Sequence, residues 1–535
     1  MKKAKSVLMF VLAISMCVSL AACGGGTTPT TVPTVAPTAT PSLATTPEPT
    51  PEPQTGPQSG GKLTILVNNL PATYGNFKES SWQIGVTVYT FPVVESLVGM
   101  TADGPAPTKL ATDWQVADDG SSLTFNLREG VKFHDGTDFN AEAVKWNIEK
   151  IRDLKKELQV IESIDCPDEY TVVLNLSEYS NTLLYHFANY NGCMISPASY
   201  EGRDEAYIAT HLIGTGPFEV VSFSADTSVQ FTAFADYWDE GKPYLDELEY
   251  IVTKDVNTAR SALLAGQAQA WDYATPDEAV ALRGQGYGVN FCPGLIRIAF
   301  SDSANESSPF FKTEVRYALE YAVDKQALVD AFGGGLYQVP VAPAAPNHTG
   351  SGAITEGRTY NPEKAMELLK EAGYPNGFKT TIYSQAATNP DLLAAIQGYL
   401  LAVGIEAEIQ TVDNARMTSL RTEGWENGLL VQGLSTATSS YINALETDGP
   451  SKTKGISALV TEAYSSLLKE AAGATTPEEE LRLSEELLRL TYEEAIITPF
   501  VIESRVCVFA PSIRGLDLSA MSIWFWSPGE VWIEQ

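Results

Sequence analysis

The sequence predicts an α/β fold gathered into one or two large lobes, and three observations carry that prediction. From Leu123 an alternating strand puts Leu123, Phe125 and Leu127 on one face and Thr124, Asn126 and Arg128 on the other, then runs through a turn into a helix ending near Ile151. A second unit of helix, stop and strand follows at Leu392 to Val403, Gly404 and Ile405 to Thr411. The chain has 535 residues of which 44% are hydrophobic, enough for large cores and too apolar for disorder throughout.

The first 23 residues read as an export signal. Lys2, Lys3 and Lys5 precede an apolar run from Val7 to Leu20 that is short for a membrane span, and Leu20-Ala21-Ala22-Cys23 offers a small-residue processing site. That site resembles a bacterial lipobox, which implies a mature protein anchored to the outer face of the cell membrane through a lipidated Cys23; ordinary secretion is the alternative. Residues 24–61 are dominated by Thr, Pro, Ala, Ser, Gly and Glu, a composition that buries no core, and read as an extended tether or a glycosylated stalk. A formal net charge of -31, from 35 basic and 66 acidic residues, argues against nucleic acid as a partner and against an electrostatic grip on anionic lipid.

Folded sequence begins with the strand Leu63 to Val67. In the stretch Leu127 to Ile151, His134-Asp135-Gly136 is a turn closed by glycine, and Asn140 caps a helix whose apolar stripe is Val144, Ile148 and Ile151. Asp119-Gly120 is a hairpin turn pair, and Gly214-Thr215-Gly216-Pro217 a strained turn before a strand from Phe218 to Phe223. That glycine run is no phosphate loop, because neither a Lys-Ser nor a Lys-Thr pair follows it. Further on, a strand is expected at Leu248 to Val252, a helix from Asn257 to Ala265 stopped by Gly266, and a short strand at Trp271-Asp272. Phe291 to Phe300 alternates and is expected to cross between lobes. Phe311 to Phe332 reads as one amphipathic helix, and Asn361, Pro362 and Gly373 bracket another as cap, first turn and stop. Pro477 to Ala495 is a charged amphipathic helix; Ile497 to Ala510, Ser522 to Trp526 and Val531 to Ile533 return the chain to the first lobe.

Several of these stretches resemble the signatures of the family 5 extracellular solute-binding proteins, the oligopeptide, dipeptide and nickel receptors of ABC importers. They are Leu127 to Thr137 with Phe139 to Lys145, Asp113 to Gly120, Gly214 to Phe218, Asp236 to Asp246, Val315 to Lys325 and Asn361 to Tyr374. Phe91 to Val98 resembles the helix that leads into the family's inserted domain. The resemblance implies a two-lobe periplasmic-binding-protein-like fold of type II, cluster C, with an extra inserted α/β domain in the first lobe. Its boundaries would be lobe I at 62–95, 211–297 and 499–535, the inserted domain at 96–210, and lobe II at 298–498. It further implies a monomeric, extracytoplasmic receptor that delivers a small solute to ABC permease subunits, touches membrane only through its lipid anchor, and needs no cofactor.

Residues for chemistry are scarce. The sequence has no GxSxG elbow and no HExxH pair, and His134, His186, His211 and His348 are far apart, so neither catalysis nor a metal site is indicated and nickel has little support. Cys166, Cys193, Cys292 and Cys507 could pair in any of three ways or remain buried thiols. In peptide-binding members of the family a Trp and an Asp receive the peptide's amino terminus. Here Leu434 stands at the Trp position and Ala437 or Thr438 at the Asp position, so that anchor is missing. Ser435, Thr436, Thr438 and Tyr441 would suit a polyhydroxylated ligand, or form a plain surface loop. Trp82, Tyr89, Trp271, Trp425, Trp524 and Trp526 are candidate stacking platforms, with core packing as the alternative for each. The expected function is capture of a peptide or an oligosaccharide-like solute between two lobes; a secreted glycan hydrolase and a signalling receptor are the rivals.

Overall fold

The computed structural model describes residues 56–75, 89–101, 104–346, 348–435, 456–516 and 527–535. Strand β1 (Lys62–Val67) precedes a run of short antiparallel pieces: β2 (Gly99–Thr101), β3 (Gly104–Ala106), β4 (Ala111–Val116), β5 (Ser122–Leu127), β6 (Ile161–Asp168) and β7 (Thr171–Leu176). Next come β8 (Phe218–Ser224), β9 (Ser228–Ala233), β10 (Glu247–Val252), β11 (Ala270–Asp272) and the long β12 (Gly288–Ser301). β13 (Phe378–Gln385), β14 (Ile405–Val412) and β15 (Gly428–Ser435) alternate with helices, and β16 (Ile497–Phe509), β17 (Ile513–Arg514) and β18 (Trp532–Ile533) follow.

One ten-stranded sheet in the order β14-β13-β15-β12-β16-β11-β1-β10-β9-β8 spans this body, and β4-β5-β7-β6 form a separate antiparallel sheet. Its two flanks are built differently. β13 lies parallel to both β14 and β15, whereas β8, β9 and β10 are antiparallel neighbours. Between the flanks run β12 and β16. The first half of β12 pairs with the end of β16, and from Leu295 onward β12 also pairs with β15. The register slips between Pro293 and Leu295 and again between Arg297 and Ile298, and such bulges bend and twist a strand. Gly294 sits in the first slip, where a Cβ would lie 2.9 Å from the Arg505 backbone nitrogen.

Apolar cores collect on both sides of this crossing. Leu63, Ile65, Phe231 and Tyr250 join Phe125, Val144 and Phe187 in one; Ala299, Val315, Leu319, Ile382, Ile396 and Val431 form another. Leu123, Phe125 and Leu127 are buried as their alternation required, and Asn140 Oδ1 accepts from the Ala143 N–H at 3.1 Å to start the helix Ala141–Arg152. Gly136 takes φ 81° in the turn. His134 ties that turn to the glycine run: its N–H donates to Gly214 O at 2.9 Å, and its Nε2 to Gly216 O at 2.8 Å. Burial pushes this imidazole down to about 4, and its Nδ1 has no partner among the described residues. Far along the chain, Asn181 donates from its backbone to Ala472 O at 3.0 Å, and Tyr185 Oη donates to Glu480 Oε1 at 3.0 Å. These bonds fasten the short helix Thr182–Phe187 to the paired helices Glu462–Ala472 and Pro477–Glu493.

Two expected helices differ. Phe311 to Phe332 is split into Thr313–Ala322 and Lys325–Phe332, because Val323 is extended and Asp324 caps the second helix by accepting from Ala327 N–H at 2.9 Å. Phe91 to Val98 is a turn followed by a bridge from Ser96 to Cys193. Its donors go outward, Leu97 N–H to Gly192 O at 2.8 Å and Val98 N–H to Phe187 O at 3.1 Å, so no helical ladder can form. Cys166, Cys193 and Cys507 are free thiols, and Cys292 is buried.

Candidate ligand-binding site

The parallel flank has a switch point. From β13 the chain crosses through helix Pro390–Ala402 to β14 on one side, and from β14 through helix Asn414–Glu423 to β15 on the other side of β13. In open α/β sheets the crevice at the carboxyl ends of such strands is where ligands bind. Those ends are Gln385 and Ser435, and Ser435 lies opposite Leu295 of the crossing strand β12.

A charged cluster occupies this place. Arg297 on β12 donates from Nε to Glu503 Oε1 at 2.8 Å and from Nη2 to Oε2 at 2.9 Å, a side-on bidentate pair between the two crossing strands. Its Nη1 reaches Thr388 Oγ1 at 3.4 Å, and Thr388, on the loop after β13, in turn accepts from Oγ of Ser384 near the end of that strand at 2.9 Å. The two charged side chains keep 9% and 20% of their surface in solvent. Beside them, burial and then the Glu503 charge push the Tyr337 hydroxyl up to about 12.

A second pair lies just beyond the bulge. Arg505 Nε donates to Asp272 Oδ1 at 2.9 Å and Nη2 donates to Oδ2, with 3% and 7% of the two side chains exposed. Tyr89 Oη donates to Asp272 Oδ2 at 3.4 Å, and the Arg505 guanidinium sits 4.8 Å over the Tyr273 ring. Tyr273 is held at φ 61°, a left-handed backbone that a bulky residue adopts at a cost, while its N–H donates to Asp272 Oδ1 at 3.0 Å. A cavity of about 20 Å³ here is bounded by Tyr89, Tyr250, Asp272, Arg505 and Leu516, among others.

The residues singled out from the sequence scatter. Tyr89 is buried in this second cluster, and β15 ends at Ser435 beside the first. Trp271 is buried on β11 among Leu66, Leu263 and Val508, and Trp425 is buried in another apolar cluster with its Nε1 donating to Gly428 O at 3.1 Å. Leu434 is fully buried. Trp82, Thr436, Thr438, Tyr441, Trp524, Trp526 and Cys23 lie outside the described residues. Tyr89 and Leu516, which adjoin 76–88 and 517–526, both line the small cavity. Arg297, Glu503 and Arg505 were missed; their signal was a charge inside an otherwise apolar alternating strand. Among the described residues no group of His, Cys, Asp and Glu could hold a metal ion, and no helix is long and apolar enough to cross a membrane.

Known proteins share this architecture. The model for bacterial extracellular solute-binding proteins, family 5 Middle, matches residues 107–453. The glutathione-binding protein GsiB of Escherichia coli O1:K1 / APEC is 32% identical over 441 residues, covering 79% of this chain and 85% of its own, and GsiB of Salmonella typhi is 32% identical over 443 residues with the same coverage. Of solved structures, Helicobacter pylori DppA in complex with the peptide STSA has a TM-score of 0.74 at 22% identity, covering 89% of this chain and 99% of that one. NikA of Brucella suis in complex with Fe(III)-EDTA has a TM-score of 0.77 at 20% identity, covering 88% and 100%. The crossing strands, the switch point and these matches lead to one conclusion: the chain belongs to the family 5 bacterial extracellular solute-binding proteins, has their two-lobe α/β fold, and is a solute-binding receptor of an ABC importer.

Proposed function

We propose that the solute is a short peptide, with glutathione or a tripeptide of similar size as the leading class, held where β12 and β16 cross and passed unaltered to the permease. The observation that carries the reading is the charge at that crossing: Arg297 and Glu503 meet beside the carboxyl ends of β13 and β15 and keep part of their surface in solvent. A relative 32% identical over 441 residues is a glutathione-binding protein, which favours the same class. Lobe I at 62–95, 211–297 and 499–535, the inserted domain at 96–210 and lobe II at 298–498 are the bodies that would close around it. The receptor acts outside the cytoplasm as a monomer, anchored through Cys23, and performs no catalysis.

Capture at micromolar concentration takes about −8 kcal/mol net of the cost of closure. A thermal-shift panel of glutathione, trialanine, maltotriose and a nickel chelate tests the reading, since a ligand at a hundredfold its Kd stabilises by about 2.7 kcal/mol. A shift with the peptides is expected. A shift with maltotriose alone would replace peptide by oligosaccharide, and a changed ligand mass after incubation would replace receptor by enzyme.

A further inference from the structure

We infer that Arg297 binds a carboxylate of the solute through the end-on edge of its guanidinium, with Glu503 and Thr388 holding the group in position. A guanidinium carries five N–H donors in a rigid fork. Glu503 takes the side-on edge, using Nε and one N–H of Nη2, and Thr388 Oγ1 takes an N–H of Nη1 at a loose 3.4 Å. One N–H on each terminal nitrogen then has no acceptor among the described residues. These two donors, one on each terminal nitrogen, are what remains of the fork for a carboxylate. Across the strand pair, Arg297 lies opposite Gly433, which sets no side chain beside it.

The environment favours an anion there. Glu503 neutralises the guanidinium's formal charge but leaves those donors unsatisfied, and a largely buried donor without an acceptor is costly. A ligand carboxylate satisfies both at once. The Thr388 hydroxyl, which accepts from Arg297 and Ser384, adds one further donor past the carboxyl end of β13. The neighbouring Arg505 cannot serve in this way, because Asp272 and Tyr273 cover it and its side chain keeps only 3% of its surface.

The inference rests on the peptide reading above, and the test separates the two. Trialanine and its C-terminal amide are titrated calorimetrically into the wild-type protein and into Arg297→Lys, which keeps the charge and loses the fork. The wild type is expected to prefer the free acid by at least about tenfold, and Arg297→Lys to bring that ratio close to one with the amide's affinity held within about threefold. A structural role alone would weaken both ligands together and leave the ratio where it was. Equal binding of acid and amide by the wild type overturns this inference and leaves the peptide reading standing; binding of neither overturns both. If Arg297→Lys does not fold, the double variant Arg297→Met/Glu503→Met removes both charges, and a persisting acid preference in it likewise overturns the inference.

Discussion

Two arginine–carboxylate pairs hang from one strand two residues apart, Glu503 meeting Arg297 and Arg505 meeting Asp272, and solvent touches only the first to any extent. Both have the same bidentate chemistry. Arg505 is roofed by the Tyr273 ring and Asp272 also receives Tyr89, so that pair pins β11 to β16 and is closed to exchange. Arg297 stands past the register slip, next to strand ends that face the switch point, with three of its five donors committed. Chemistry alone does not separate a structural ion pair from a ligand-binding one; position relative to the bulge and the edge left open do.

The largest effect should come from breaking the sealed pair. Asp272→Ala leaves Arg505 buried without a counter-charge and is expected to cost about 3–5 kcal/mol in urea unfolding. If Glu503→Ala costs as much, the contrast between the pairs fails, because Glu503 keeps 20% of its surface in solvent and Arg297 keeps its bond to Thr388, so the loss should be only about 1–2 kcal/mol. Between these lies His134, which bounds the pH range in which the pairs can be compared. Its folded pKa lies near 4 against an ordinary 6.5, so its contribution is complete above pH 6.5 and is lost as pH falls toward 4, by about 3 kcal/mol in all. Unfolding free energies from pH 7 to pH 4 check this, and His134→Gln should flatten the slope. Gly294→Ala is expected to cost about 1–3 kcal/mol, since the new Cβ meets the Arg505 backbone nitrogen at 2.9 Å; a neutral result would show that the slip is soft.

Much of the fold was legible because its signals are local. Alternation located β5 and β12, and Asn140 and Asn361 placed helix starts that the structure keeps, each with its side-chain cap bond. Asp324 was the same kind of signal inside an apolar run, and overlooking it fused two helices. Phe91 to Val98 misled for a different reason: its backbone partners, Phe187 and Gly192, are distant in sequence and leave no local trace. The site was hidden in the same way. Arg297 meets Glu503 across 206 residues, a pairing that no window of sequence reveals, although each was visible as a charge in an apolar strand. The aromatic platforms were chosen by residue type, and type does not tell a core Trp such as Trp425 from an exposed one.

Native mass spectrometry of the protein with trialanine tests the central claim most directly. The account predicts a one-to-one complex from which the peptide returns at its original mass, and it is contradicted if no complex forms or if the peptide comes back altered.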